Sequence, residues 1–301
     1  MNGHWKIIEQ HISQTLGEDI NFKQNSNVSG GCINQASKVT DTNNKHWFIK
    51  TNKPTKLDMF KAESAGLQAL RETQAIRVPE NICHDANDEF SYFVLEYIEL
   101  NSTIQQAATG QALAKMHLYQ NKSPSTQAQK QFGWLQDNTI GSTPQSNTPH
   151  NNWVSFWKEE RLLTQLNLAK SKGYSSKDFE NGLTLAENLD TFFTSYLPQA
   201  SLLHGDLWSG NCASDPQGQP VIFDPAVYIG DRETDIAMTE LFGGFSQDFY
   251  DTYHAAYPLD PDYKTRKQLY NLYHILNHFN LFGGGYGSQA ATMTKKLLAE
   301  V

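Results

Sequence analysis

A chain of 301 residues is long enough for one large domain or two lobes with an ample buried core. Its 39% hydrophobic and 12% aromatic content is that of a globular protein and excludes a disordered one. The formal net charge of -8 argues against electrostatic attraction to nucleic acid or an anionic membrane, but leaves a local phosphate site open.

Trp5, Ile8, Ile12 and Leu16 recur at helical spacing, and Gly17 suits the end of that helix. The first six residues lack the basic-then-apolar pattern of a secretion signal, and no apolar run in the chain approaches spanning length. Next, Gly30 and Gly31 lie between two strand-like runs. Paired glycines let the backbone approach a ligand closely, with N–H groups free for phosphate, although most such pairs are hairpin turns. The apolar strand Trp47-Phe48-Ile49 then ends in Lys50, and Met59, Phe60, Ala62, Leu67 and Leu70 line a helix that carries Glu63. In a kinase-like small lobe a strand lysine holds the α/β-phosphates and a helix glutamate holds the lysine. Either residue alone would read as a solvated surface charge. The run Phe90 to Ile98 is an apolar strand that turns acidic, which fits a hinge whose main chain at Glu96, Tyr97 and Ile98 would hydrogen-bond adenine.

A first large-lobe helix follows, with Leu113, Ala114 and Met116; His117 reads as a core or helix-face residue, not a ligand. Residues 121–152, rich in Ser, Thr, Gln, Asn and Pro, read as a loop that is either functional or mobile. Phe132 and Trp134 argue that part of it docks. From Trp153 to Leu197 the pattern is helical again.

The most informative stretch is Leu202-Leu203-His204-Gly205-Asp206-Leu207-Trp208-Ser209-Gly210-Asn211, followed by the apolar run Val221-Ile222-Phe223 and Asp224. One apolar strand leads into a loop carrying Asp206 and Asn211, and a second delivers Asp224 beside them. Phosphoryl transfer from ATP needs that set: a carboxylate to orient the hydroxyl and accept its proton, and an amide oxygen and a second carboxylate to hold Mg2+. Asp206 needs no raised pKa for this, since proton loss can be late. Asp235 opens the next helix, where it either caps the N-terminus or holds the catalytic-loop backbone. No long segment and no Ala-Pro-Glu precede that helix, which points to a small-molecule hydroxyl as acceptor. The tyrosine-rich C-terminal part is helical and closes at Gly283-Gly284-Gly285.

Taken together, Gly30-Gly31-Cys32-Ile33-Asn34, Phe48-Ile49-Lys50, Leu95-Glu96-Tyr97, His204 to Asn211 and Asp224-Pro225-Ala226 resemble the fructosamine kinase (ketosamine-3-kinase) family, from about residue 4 to about residue 298. The resemblance implies an α+β, two-lobed, protein-kinase-like fold: a small N-terminal lobe with an antiparallel sheet over 1–98, and a larger, mainly helical catalytic and substrate-binding lobe over 99–301. It implies ATP-dependent phosphorylation of the sugar 3-hydroxyl of ketosamines, free or protein-bound, after which the adduct breaks down and frees the amine. Carried over by position, Asp206 is the base, Asn211 and Asp224 hold Mg2+, and Lys50, anchored by Glu63, grips phosphates that Gly30 and Gly31 cover. Glu96, Tyr97 and Ile98 hold adenine, and Trp208 either stacks on the sugar or packs. Rival readings are a kinase for another small alcohol, such as an aminoglycoside or amino alcohol, and a nucleotide-binding pseudokinase. The three cysteines, Cys32, Cys83 and Cys212, lack metal-ligand spacing and fit a reducing cytoplasm. The chain is expected to be a monomer, or a redox-linked dimer through Cys32.

Overall fold

The structure is a computed structural model that describes residues 3–28, 33–101, 103–119 and 131–301. Helix α1 (Gly3–Leu16) precedes strands β1 (Phe22–Asn27), β2 (Gln35–Asp41) and β3 (His46–Asn52). Helix α2 (Leu57–Glu72) and strands β4 (Asn81–Ala86) and β5 (Ser91–Glu96) follow. The strands form one five-stranded sheet in the order β1-β2-β3-β5-β4, every neighbour antiparallel. Strand side chains alternate between the two faces. Trp47 and Ile49 of β3, with Tyr92 and Val94 of β5, pack against Ile8 and Ile12 of α1. Phe93 and Leu95 face the other way, into a core shared with Phe60, Leu67 and Leu70 of α2. Lys50 therefore points to the α2 side, where the sheet meets the rest of the chain.

The remainder is mainly helical. It contains α3 (Gln106–His117), a short hairpin β6 (Asn138–Ile140) and β7 (Thr143–Gln145), then α4 (Trp153–Phe156), a π-helical stretch Trp157–Leu163, α5 (Thr164–Ser171) and α6 (Ser176–Glu187). After β8 (Ala200–Leu203), β9 (Cys212–Ser214), β10 (Pro220–Ile222) and β11 (Tyr228–Asp231) come α7 (Glu233–Leu241), α8 (Gln247–Ala256), α9 (Tyr263–Phe282) and α10 (Tyr286–Leu298). α9 is the central post, buried from Leu269 through Asn277, and ends where Gly283 adopts a left-handed φ of 67°. Among the described residues no helix is long and apolar enough to cross a membrane.

The segment read as a loop over 121–152 is more ordered than its composition suggests. Residues 120–130 lie outside the described part, but 131–152 include the β6–β7 hairpin, and Phe132 docks on Trp153 with ring centroids 5.2 Å apart. Strands of three residues are too short to leave a period in the sequence.

Candidate active site

β8 pairs with β11, Leu203 opposite Tyr228, and then releases the chain into His204-Gly205-Asp206. Gly205 has φ 81°, and a Cβ there would lie 2.1 Å from the Ala226 carbonyl oxygen, so no other residue fits. The loop backbone hangs on Asp235, in the first turn of α7. Its carboxylate accepts from the N–H of His204 at 2.7 Å and of Gly205 at 2.9 Å. His117 of α3 reaches the same carboxylate with Nε2 at 3.1 Å, and its Nδ1 lies 2.8 Å from the Tyr253 hydroxyl. Burial alone would raise the Asp235 pKa; the hydrogen bond and charge of His117, with further help from His204 and the Gly205 amide, hold it below the ordinary value. Of the two sequence readings of Asp235, the backbone holder is the one observed. His117 is a core histidine, as expected, but its link to the loop left no mark in the sequence.

His204 stitches the two halves of the site together. Its Nε2 donates to the Phe223 carbonyl at 3.1 Å, which leaves Nδ1 to accept from the Asp206 N–H at 3.2 Å. Burial lowers the pKa of the ring. A 3-10 turn at Ser209–Asn211 then folds Asn211 back, so that its Nδ2 donates to the Asp206 main-chain oxygen at 2.9 Å and to Oδ2 at 3.3 Å. The Phe223 N–H donates to the Asn211 carbonyl at 3.1 Å and the Ala226 N–H to the His204 carbonyl at 2.8 Å. Between these two bonds Asp224 adopts a left-handed φ of 57°, which Asp tolerates better than most residues. The Asp206 pKa is pushed up to about 7, by burial first and the charge of Asp224 second, against the hydrogen bond from Asn211.

Across the cleft, the buried Lys50 donates to Glu63 Oε1 and to Asp224 Oδ1, both at 2.6 Å. Burial would lower the lysine pKa, but Asp224 and Glu63 outweigh it and the net shift is upward. Burial likewise raises Glu63, against the pull of Lys50. Asp224, half exposed at 51%, is the member of the trio open to the cleft. Lys50, Glu63, Asp206, Asn211 and Asp224, taken from distant parts of the chain, thus meet at one point. Gly66, one turn beyond Glu63, lets α2 sit against this point: a Cβ there would lie 3.0 Å from Val227 Cγ2 and 3.7 Å from Pro225 Cγ.

Other expected residues sit farther out. The Glu96 carboxylate faces Arg77 at 2.7 Å, and its N–H donates to the Glu80 carbonyl at 2.9 Å. The Tyr97 ring lies under the Lys38 ammonium at 4.2 Å, and the half-buried Ile98 follows where the sheet ladder has ended. Trp208 is 40% exposed and lies across Gly210, where a Cβ would come within 2.2 Å of the ring. Gly30, Gly31 and Cys32 lie outside the described residues.

A profile of the fructosamine kinase family matches residues 4–300. A Synechocystis protein named "Probable ketoamine kinase" is 46% identical over 98% of this chain and 97% of its own. An Arabidopsis thaliana "Protein-ribulosamine 3-kinase, chloroplastic" is 42% identical over 93% of this chain and 84% of its own. Among solved structures, a fructosamine-3-kinase candidate from Haemophilus somnus superposes with a TM-score of 0.87 at 28% identity, covering 98% of this chain and 97% of its own. A choline kinase from Streptococcus pneumoniae shares the fold, at a TM-score of 0.61 and 19% identity over the full length of both chains.

Proposed function

We propose that this chain, which belongs to the fructosamine kinase family, transfers the γ-phosphoryl group of ATP to the sugar 3-hydroxyl of a ketosamine, free or protein-bound. The family has a two-lobed, α+β, kinase-like fold; we take 1–98 as the nucleotide lobe and 99–301 as the catalytic and substrate lobe. The product is a phosphorylated adduct that breaks down and frees the amine, a deglycation. The buried thiols Cys83 and Cys212 fit a reducing, cytoplasmic setting.

Each residue then has a task. Lys50, braced by Glu63, grips the α/β-phosphates, Gly30 and Gly31 cover them, and the main chain from Glu96 through Ile98 holds adenine. Asp206 orients the acceptor hydroxyl and takes its proton as the O3–Pγ bond forms and the bond from Pγ to the bridging oxygen breaks. ADP leaves, and Asp206 returns the proton to solvent. A pKa near neutrality makes Asp206 a better acceptor than an ordinary carboxylate, while still largely ionised at slightly alkaline pH. Asn211, whose Nδ2 is committed to Asp206, and Asp224, whose Oδ2 accepts no hydrogen bond among the described residues, offer hard oxygen donors that fit Mg2+. When bound there, Mg2+ would supply charge neutralisation on the phosphates. Trp208, two residues past Asp206 and 40% exposed, would stack on the sugar ring.

The observation that carries this reading is the convergence of the Lys50–Glu63–Asp224 trio with the Asp206–Asn211 pair. The test is ATP consumption with a panel of ribulosamines, fructosamines, aminoglycosides and amino alcohols, with product analysis by phosphorus NMR. Consumption should require a ketosamine and give a 3-phosphate. Asp206→Asn should lose turnover by about 1,000-fold or more while still binding nucleotide. Turnover on aminoglycosides alone, or normal turnover in the variant, overturns the reading.

A further inference from the structure

Two amide side chains in the segment that composition reads as a loop reach the backbone immediately after Asp224. Asn138 Nδ2, on β6, donates to the Val227 carbonyl at 2.7 Å. Gln145 Nε2, on β7, donates to the Ala226 carbonyl at 3.3 Å and to Asn138 Oδ1 at 2.8 Å. These amides are themselves held. Asn147 Nδ2 donates to Asn138 Oδ1 at 3.0 Å, Arg161 Nη2 to Asn147 Oδ1 at 2.7 Å, and the Tyr273 hydroxyl to Gln145 Oε1 at 2.5 Å. Each carbonyl oxygen in the relay has a donor, so turning any one amide over would set oxygen against oxygen. Gln145, Asn147 and Arg161 are each at most 1% exposed. The Arg161 guanidinium lies over the Tyr228 ring at 4.1 Å and the Phe156 ring at 4.6 Å, which ties the relay to the π-helical stretch and to β11.

We propose that Asn138 and Gln145 are positioning residues for Asp224: the β6–β7 hairpin clamps the Asp224–Val227 turn and thereby sets the carboxylate that faces metal-bound nucleotide. The turn is gripped from its other sides by Gly66 of α2 and by the His204 carbonyl, which accepts from the Ala226 N–H. The hairpin amides are the side-chain donors to its two buried carbonyls. Without them those oxygens lose their partners, and the left-handed backbone at Asp224 loses the restraint on the residues that follow it. The inference rests on Asp224 being a metal ligand, as proposed above.

The test separates metal-dependent from metal-independent nucleotide binding. ADP affinity is measured by calorimetry with Mg2+ and with EDTA, alongside thermal unfolding, for the full chain and for Asn138→Ala, Gln145→Met and Thr139→Ala. Thr139 lies on the same hairpin and makes no side-chain hydrogen bond among the described residues. Asn138→Ala and Gln145→Met should weaken Mg·ADP binding by about fivefold to tenfold, the loss of one hydrogen bond to a buried carbonyl. Metal-free ADP affinity should change less than about twofold, and Thr139→Ala should change neither. If Asn138→Ala does not fold, Gln145→Met, with the longer contact, decides between the outcomes. Equal losses with and without metal, or no loss in either variant, overturn the proposal. Failure of the parent chain to bind ADP more tightly with Mg2+ overturns instead the assignment of Asp224.

Discussion

Asp206 is held in an environment that penalises its charge: half-buried, beside the charge of Asp224, and relieved among the described residues by one long side-chain bond from Asn211. Its folded pKa of about 7 lies above the unfolded value of 3.8, so the folded state binds the extra proton between those limits. Stability from this group is complete below the lower value and is lost as pH rises through the upper one. Asp206→Asn should therefore raise the melting temperature by several degrees at pH 8 and hardly at all near pH 4; equal shifts at both pH values would contradict burial and the Asp224 charge as the cause. In the parent chain, the fall in kcat/KM toward acid should centre near pH 7 if Asp206 is the base, as proposed, since the base must be ionised. Lys50 presents the opposite case. Lys50→Met leaves Glu63 facing Asp224 without a cation, at a cost of about 2–3 kcal/mol because Asp224 is half exposed. Urea denaturation of Lys50→Met, Glu63→Leu and the double variant should show the second change recovering part of that loss.

At the scale of elements, α2 matters for where it rests as much as for what it carries. A Cβ at Gly66 would lie 3.0 Å from Cγ2 of Val227, a stiff side chain, so a methyl group at 66 can be absorbed only by a shift of a few tenths of an ångström. The better helix propensity of alanine, worth about 1 kcal/mol, offsets that strain, and Gly66→Ala should be close to neutral in stability. Gly66→Leu should move α2 away from the turn, draw Glu63 off Lys50 and reduce kcat by about tenfold or more, with a far-ultraviolet spectrum that still reports a folded chain. α1, α2, α3, β3 and β5 were legible from periodicity, and the loop carrying Asp206 and Asn211 from motif spacing, whereas α10, beyond the glycines taken as the end of the helical part, was not. What escaped had physical reasons to escape. The β6–β7 hairpin is held by side-chain amides, not by an apolar alternation. Arg77 looks like any surface arginine. Asp235 as backbone holder depends on amides distant in sequence, and composition left it balanced against a helix cap.

For the whole molecule, the join between sheet and helices rests on few polar contacts. Arg77 donates to Glu96 at 2.7 Å at the end of β5 and to Asp215 at 2.6 Å in the turn between β9 and β10, while its carbonyl accepts from the Ile222 N–H at 3.0 Å. Arg77→Met should leave the core intact yet loosen this strut. Amide exchange across 212–222 should rise, and the KM for ATP should increase several-fold with a smaller change in kcat; unchanged exchange would rule out the strut. The second crossing is the bond from Lys50 to Asp224. Under the roles proposed above, the lysine that grips a phosphate and one oxygen of the carboxylate that holds a cation are bonded to each other. On those proposed roles, nucleotide binding would exchange partners at Lys50 and Asp224. Its association rate should lie below the diffusional limit and be set by how often that internal handshake lets go.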